Sequence, residues 1–153
     1  SLLEIVEMFE VMAELKCMAV RLAVRRATKA DIDTLIASNE ACRAAFQAND
    51  TKRYYELNAA VHRQIYKMSG NGFLASEAQR LHDRLRPFRR LQLQVRGRMS
   101  ESMDEHDMIL AGIRDGNTQQ AVDTMRRHIT VLGERFNDLV SGFNLLMTDN
   151  AKG

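Results

Sequence analysis

The sequence predicts an all-α fold, an antiparallel helical bundle, and three observations carry that expectation. The 153 residues hold one proline and eight glycines, too few breakers for a many-turned β fold. Apolar residues recur at three- and four-residue steps along most of the chain, the repeat of an amphipathic helix. No stretch alternates apolar and polar residues as a half-buried strand does. Short connections between such helices make neighbours antiparallel.

The first helix is expected over Ser1–Ala27, with Leu2, Ile5, Val6, Phe9, Met12, Ala13, Leu15, Met18, Ala19 and Leu22 as its apolar face. Thr28 caps the second, with Asp31 three residues on in capping-box position, and this helix runs to about Ala48. Asn49-Asp50 caps the third, Thr51–Met68, which Gly70 stops. The fourth runs from Phe73 toward Arg96 and should kink at Pro87, where a backbone hydrogen bond is lost. Ser102 with Glu105 suggests the cap of the fifth, ending at Asp115-Gly116. Asn117 with Gln120 suggests the cap of the sixth, which reaches about Met147. Residues 1–148 then form one domain and 149–153 a disordered tail.

Composition bounds the function. With 45% hydrophobic and 27% charged residues, the chain can bury a core and remain soluble. A net charge of +2 does not by itself predict binding to nucleic acid or membrane. No apolar run of about eighteen residues is present, so no membrane span is expected. Cys17 and Cys42 form no CxxC pair and read as two reduced thiols of a cytosolic, cytoplasmic protein. The chain opens at Ser1 directly on a helical pattern, which suggests a piece of a longer protein.

The informative stretch is ELNAAVHRQIYKMSGN, Glu56–Asn71. Tyr54, Leu57, Val61, Ile65 and Met68 line one helix face, and Asn58 and His62, four residues apart, lie on that same stripe. His106 shares a face with Met103, Ile109, Leu110 and Ile113. His128 sits among Ala121, Met125, Leu132 and Phe136. Taken singly, each is also explained as a satisfied core histidine. Together they place three imidazoles and an amide on the core faces of three helices, and buried polar groups need partners. One metal ion would satisfy all four; imidazole suits zinc, nickel, copper or iron, and an amide oxygen is a weaker, harder ligand.

These residues carry a resemblance. Asn58-x-x-x-His62, SGN at Ser69–Asn71, RLRPFRRLQL at Arg84–Leu93 and EHDMILAGIRDGNTQQAVDTMRRHI at Glu105–Ile129 resemble the FCD class, the C-terminal effector-binding domain of the FadR subfamily of GntR-family transcription regulators. The resemblance covers nearly the whole chain. It implies an all-α bundle of six to seven helices. It implies a divalent metal, zinc foremost with nickel, manganese or iron as alternatives, at positions matching Asn58, His62, His106 and His128. It implies a small carboxylate effector beside that metal, a homodimer, and operator DNA bound through an N-terminal winged helix-turn-helix that these residues do not include. This sequence departs from the family in carrying Asn58 where aspartate is usual. A neutral amide should hold a dication more weakly and leave it more electrophilic toward an anion.

Arg84, Arg86, Arg89, Arg90, Arg96 and Arg98 crowd one segment. Most read as a solvated basic face. Leu74, Leu81, Leu85 and Phe88 mark the core side, and Arg89, His82 and Arg86 lie on its flank, where an arginine suits a bidentate grip on a carboxylate. In the resembling family an arginine of this helix helps to form the effector pocket, so Arg86 and Arg89 are the candidate effector-binding residues. Two other readings compete. A metal-dependent hydrolase lacks a carboxylate placed as general base, since Glu105 should point away from His106, and no nucleotide or nucleophile-elbow motif is present. A purely structural dimerisation module leaves the inward polar residues without a shared explanation. No catalytic residue is assigned.

Overall fold

The structure, a computed structural model, describes residues 1–150, excepting the side chains of 131–136, 139–140 and 143–150. It consists of seven α-helices with no strand among the described residues: α1 (Leu2–Arg26), α2 (Lys29–Gln47), α3 (Thr51–Met68), α4 (Gly72–Arg84), α5 (Arg86–Leu93), α6 (Arg98–Asp115) and α7 (Thr118–Asn150). α1 packs along α7 and against α3 and α4, α2 packs on α3 and α6, and α6 pairs with α7. The fold is the expected all-α bundle.

Local signals account for most helix ends. The Thr28 hydroxyl accepts from Asp31 N and Asp31 accepts from Thr28 N, a complete capping box. Asp50 caps α3 and Asn71 caps α4. Gly70 takes φ 63° just past α3, a conformation that glycine adopts without Cβ strain. Asn117 Oδ1 accepts from Gln120 N at the start of α7.

Three boundaries differ from expectation. The single helix kinked at Pro87 is instead two helices, α4 and α5, joined at Leu85. Pro87 falls in the first turn of α5, where an N–H has no helical partner to lose. The cap expected at Ser102 does not exist: Gly97, at φ 80°, starts α6 a turn earlier, and Ser102 is buried mid-helix. α7 continues through Asn150, beyond the expected end at Met147 and into the expected tail. Residues 151–153 and the side chains of Leu132 and Phe136 lie outside what is described.

The core is built from Phe9, Met12, Val20, Leu35, Val61, Ile65, Leu85, Met103, Ile109 and Met125, with others. Each large apolar side chain so buried stabilises the fold by about 1.5–3 kcal/mol. The buried face of α1 is turned from the expected one. Leu2 and Met18 are exposed, while Lys16, Cys17, Val20 and Ala23 are buried. Both cysteines are free and buried. No described helix is long and apolar enough to cross a membrane.

Candidate metal centre and effector cavity

Inside this bundle, three imidazoles meet. His62 of α3, His106 of α6 and His128 of α7 are each 3% exposed or less, and one nitrogen from each lies within 4.8 Å of the others. Their ring centroids form a near-equilateral triangle of 5.1–5.3 Å.

The outer nitrogens are all spoken for. His128 Nδ1 lies 2.7 Å from Glu105 Oε1; a carboxylate only accepts, so Nδ1 donates. Arg98, 1% exposed, grips the same carboxylate through two hydrogen bonds and also donates to the His128 carbonyl. Asn39 Nδ2 donates to Asp107, which Arg43 holds from the other side. This orientation turns Asn39 Oδ1 to His106 Nδ1 at 3.3 Å, so that nitrogen donates too. His62 Nδ1 lies 3.2 Å from Lys16 Nζ. The inward Nε2 atoms of His106 and His128 therefore carry lone pairs.

Asn58, one turn before His62, is 3% exposed. Its Oδ1 and His106 Nε2 are both buried without a hydrogen-bond partner. His62 Nε2 and His128 Nε2 are 3.3 Å apart. Two nitrogens on one tetrahedral zinc, each about 2.0–2.1 Å from it, stand about 3.3 Å apart. The three imidazoles could hold a divalent ion, and the partnerless Asn58 Oδ1 is a neutral oxygen one helical turn from His62.

Burial keeps these groups uncharged. It holds His62 and His106 well below the usual imidazole range, and neighbouring cations push the same way. His128 falls to about 4, burial outweighing the opposing pull of Glu105. Burial alone would raise the Glu105 carboxyl, but the hydrogen bonds from His128 and Arg98 hold it at about 2. Lys16 is 0% exposed, and burial with the Arg89 charge holds its amine well below the ordinary lysine value. A neutral amine can accept from His62 Nδ1 and so leave Nε2 free for an ion.

Beside Asn58 a cavity of about 200 Å³ lies between α3, α4 and α5. Asn58, His82, Arg89, Arg86, Arg63 and Arg90 line it, with Tyr55, Glu56, Ala59 and Leu93. Arg89 is 6% exposed; its Nη1 donates to His82 Nε2 at 2.6 Å, and its Nε has no partner. Arg86 is exposed and pairs with Asp83 at 2.7 Å. His82 Nδ1 faces Lys16 Nζ at 3.3 Å and the Tyr66 hydroxyl at 3.4 Å.

The structure thus brings His62, His106 and His128 together, buries Asn58 one turn before His62, and puts Asn58, Arg86 and Arg89 around one cavity. Two expectations need correction. Arg98 does not belong to a solvated face; it is the buried partner of Glu105. Glu105 does touch the histidine cluster, because α7 passes over the side of α6 adjacent to His106. It meets the outer nitrogen of His128, though, and does not face the inner donors. Sequence reasoning missed Lys16, Asn39 and the role of His82. Only Lys16 left a signal, a lysine four residues after Met12 and four before Val20 on the buried face of α1.

Residues 7–131 match the FCD domain family, and the chain belongs to that family. Its fold is similar to that of Escherichia coli McbR/YncC, at 21% identity and a TM-score of 0.72 over 85% of this chain and 64% of that one. It is also similar to Streptococcus agalactiae GntR, at 24% identity and a TM-score of 0.72 over 85% and 58%. The chain thus spans about three fifths of the length of either structure. No curated protein matches it in sequence.

Proposed function

We propose that this chain is the effector-sensing domain of a GntR-family transcription regulator, which holds a divalent metal and binds a small carboxylate next to it. Membership of the FCD family and a fold shared with a protein named GntR support the regulatory class. One observation carries the site: nitrogens of His62, His106 and His128 converge within 4.8 Å of one another, and His106 Nε2, like Asn58 Oδ1 one helical turn before His62, is buried without a partner.

In this reading Asn58, His62, His106 and His128 hold the ion, zinc being the one the donors suit best, with nickel, manganese or iron as alternatives. The ion supplies a Lewis-acid contact for a carboxylate oxygen. Arg89, with a partnerless Nε and the adjacent Arg86, grips the same carboxylate. Closure of α4 and α5 on the acid would favour one arrangement of a homodimer. That shift would change the reach of attached DNA-binding domains outside these residues. Glu105 favours this reading over a hydrolase, since its carboxylate is committed to His128 and Arg98.

Elemental analysis of the purified domain beside its His106→Ala variant tests the site. The expected result is one divalent ion per chain in the parent and none in the variant, with small carboxylates raising the Tm of the loaded parent. An ion-free parent that takes up nothing on titration would overturn the proposal, leaving the His62–His128 contact as an ordinary hydrogen bond.

A further inference from the structure

The cavity beside the metal centre holds more positive charge than one carboxylate requires. Four arginines border it, and the one acidic side chain on its wall, Glu56, is paired with Arg53. The four are not equivalent. Arg89 is buried at the floor, next to Asn58 and His82. Arg86 is neutralised by Asp83. Arg63 and Arg90 are exposed at the mouth and have no carboxylate partner among the described residues. Arg90 is ordered against the Tyr55 ring, 5.1 Å from its centroid. Arg63 is close enough for its charge to act on His82 across the cavity.

A surface arginine usually finds solvent or a neighbouring carboxylate. Here two converge, unpaired, on one opening whose floor is already cationic. The cavity, about 200 Å³ in volume, has room for more than a few waters. That space admits a short acid.

Building on the effector reading above, we infer that the ligand carries two anionic groups, the inner one answered by Arg89 beside the metal centre and the outer one by Arg63 and Arg90 at the mouth. Its class is a short dianion, either a dicarboxylate or a phosphorylated hydroxy acid. Both present oxygens suited to a guanidinium fork, and the outer group sets specificity because a monoanion leaves the mouth unfilled.

Calorimetric titration of the metal-loaded protein tests this with matched pairs: straight-chain acids of three to six carbons as monoacid and diacid, and glycerate against 3-phosphoglycerate. At least one dianion should bind tighter than its monoanionic partner by about tenfold or more, the size of one hydrogen bond to a charged group. Whether the carboxylate or phosphate pair shows the larger gain identifies the outer group. In the Arg63→Ala/Arg90→Ala variant that ratio should collapse toward one with metal content retained, and Arg63→Lys/Arg90→Lys should restore part of it. Equal binding within every pair, or a ratio the double alanine variant leaves intact, overturns the inference while the effector reading stands. Failure of every acid to bind the loaded protein overturns both.

Discussion

The two halves of the histidine cluster are supported in opposite ways. On the α6/α7 side, His106 and His128 are backed by acceptors that are themselves anchored: Asn39 through Asp107 and Arg43, and Glu105 through Arg98. On the α3 side, His62 is backed by a lysine amine, and Asn58 Oδ1 meets nothing. Acceptors behind a ligating imidazole fix its tautomer and raise its basicity. The α6/α7 half is therefore a preset platform, while the α3 half is the weakly held side that opens on the cavity. In the proposed reading, an ion gripped from one side and loosely completed from the other would keep room for an incoming acid.

Acid is the strongest way to stress this asymmetry. In the metal-free chain burial lowers the imidazole pKa of His62, His82, His106 and His128. Below about 6.5 the unfolded chain then binds more protons than the fold. Stability is intact above that pH and falls as pH drops through it, by about 1.4 kcal/mol per pH unit for each imidazole still neutral in the fold. The Tm should accordingly be markedly lower at pH 5 than at pH 7.5. Of the cluster, His128 should protonate first, near 4, because Glu105 draws its proton; histidine NMR resonances followed through the titration would report the order. If His62 protonates first, the two halves do not differ as described.

Glu105→Gln removes the carboxylate from behind His128. Metal affinity should drop by about 10- to 100-fold. The fold should lose about 1.5–3 kcal/mol, since the charged hydrogen bonds of buried Arg98 to Glu105 are weakened while its other carboxylate partner, Glu101, remains. A chelator competition and a urea midpoint read the two effects separately; an unchanged metal affinity would show that the platform contributes nothing to the ion.

Asn58→Asp acts on the other half and in the other direction. A charged ligand on the loosely held side should tighten metal by about tenfold, or about 1.4 kcal/mol, and weaken binding of an anionic acid to the loaded protein. Metal affinity unmoved by the aspartate would place Asn58 outside the coordination shell.

How much of this was legible in the sequence follows from how local each feature is. The capping box at Thr28 and Asp31, the Gly70 stop and the Asn58–His62 spacing are written within a turn or two, and the helices and inward donors could be read from them. Ser102 was misread because a Ser-x-x-Glu spacing also occurs mid-helix, and the αL conformation of Gly97 decides between the two. The partners behind the histidines were not legible at all. Glu105 is adjacent in sequence to His106 yet serves His128, and Lys16 serves a histidine 46 residues away. Such pairings depend on how helices cross, which periodicity does not encode. Arg98 looked like its solvated neighbours because a buried ion pair has the same composition as an exposed one.

The separation between these partners also bears on the order of folding. His62 and His128 are 66 residues apart, Lys16 and His82 also 66, and Asn39 and His106 67. Contacts closing such long loops require chain entropy to be given up beforehand. The α6–α7 hairpin contains His106 and His128, but His62 arrives separately on α3. An ion that takes all three imidazoles therefore finds its full site only once α3 has docked on that hairpin. Full occupancy of the centre would then certify that α3, α6 and α7 have all docked.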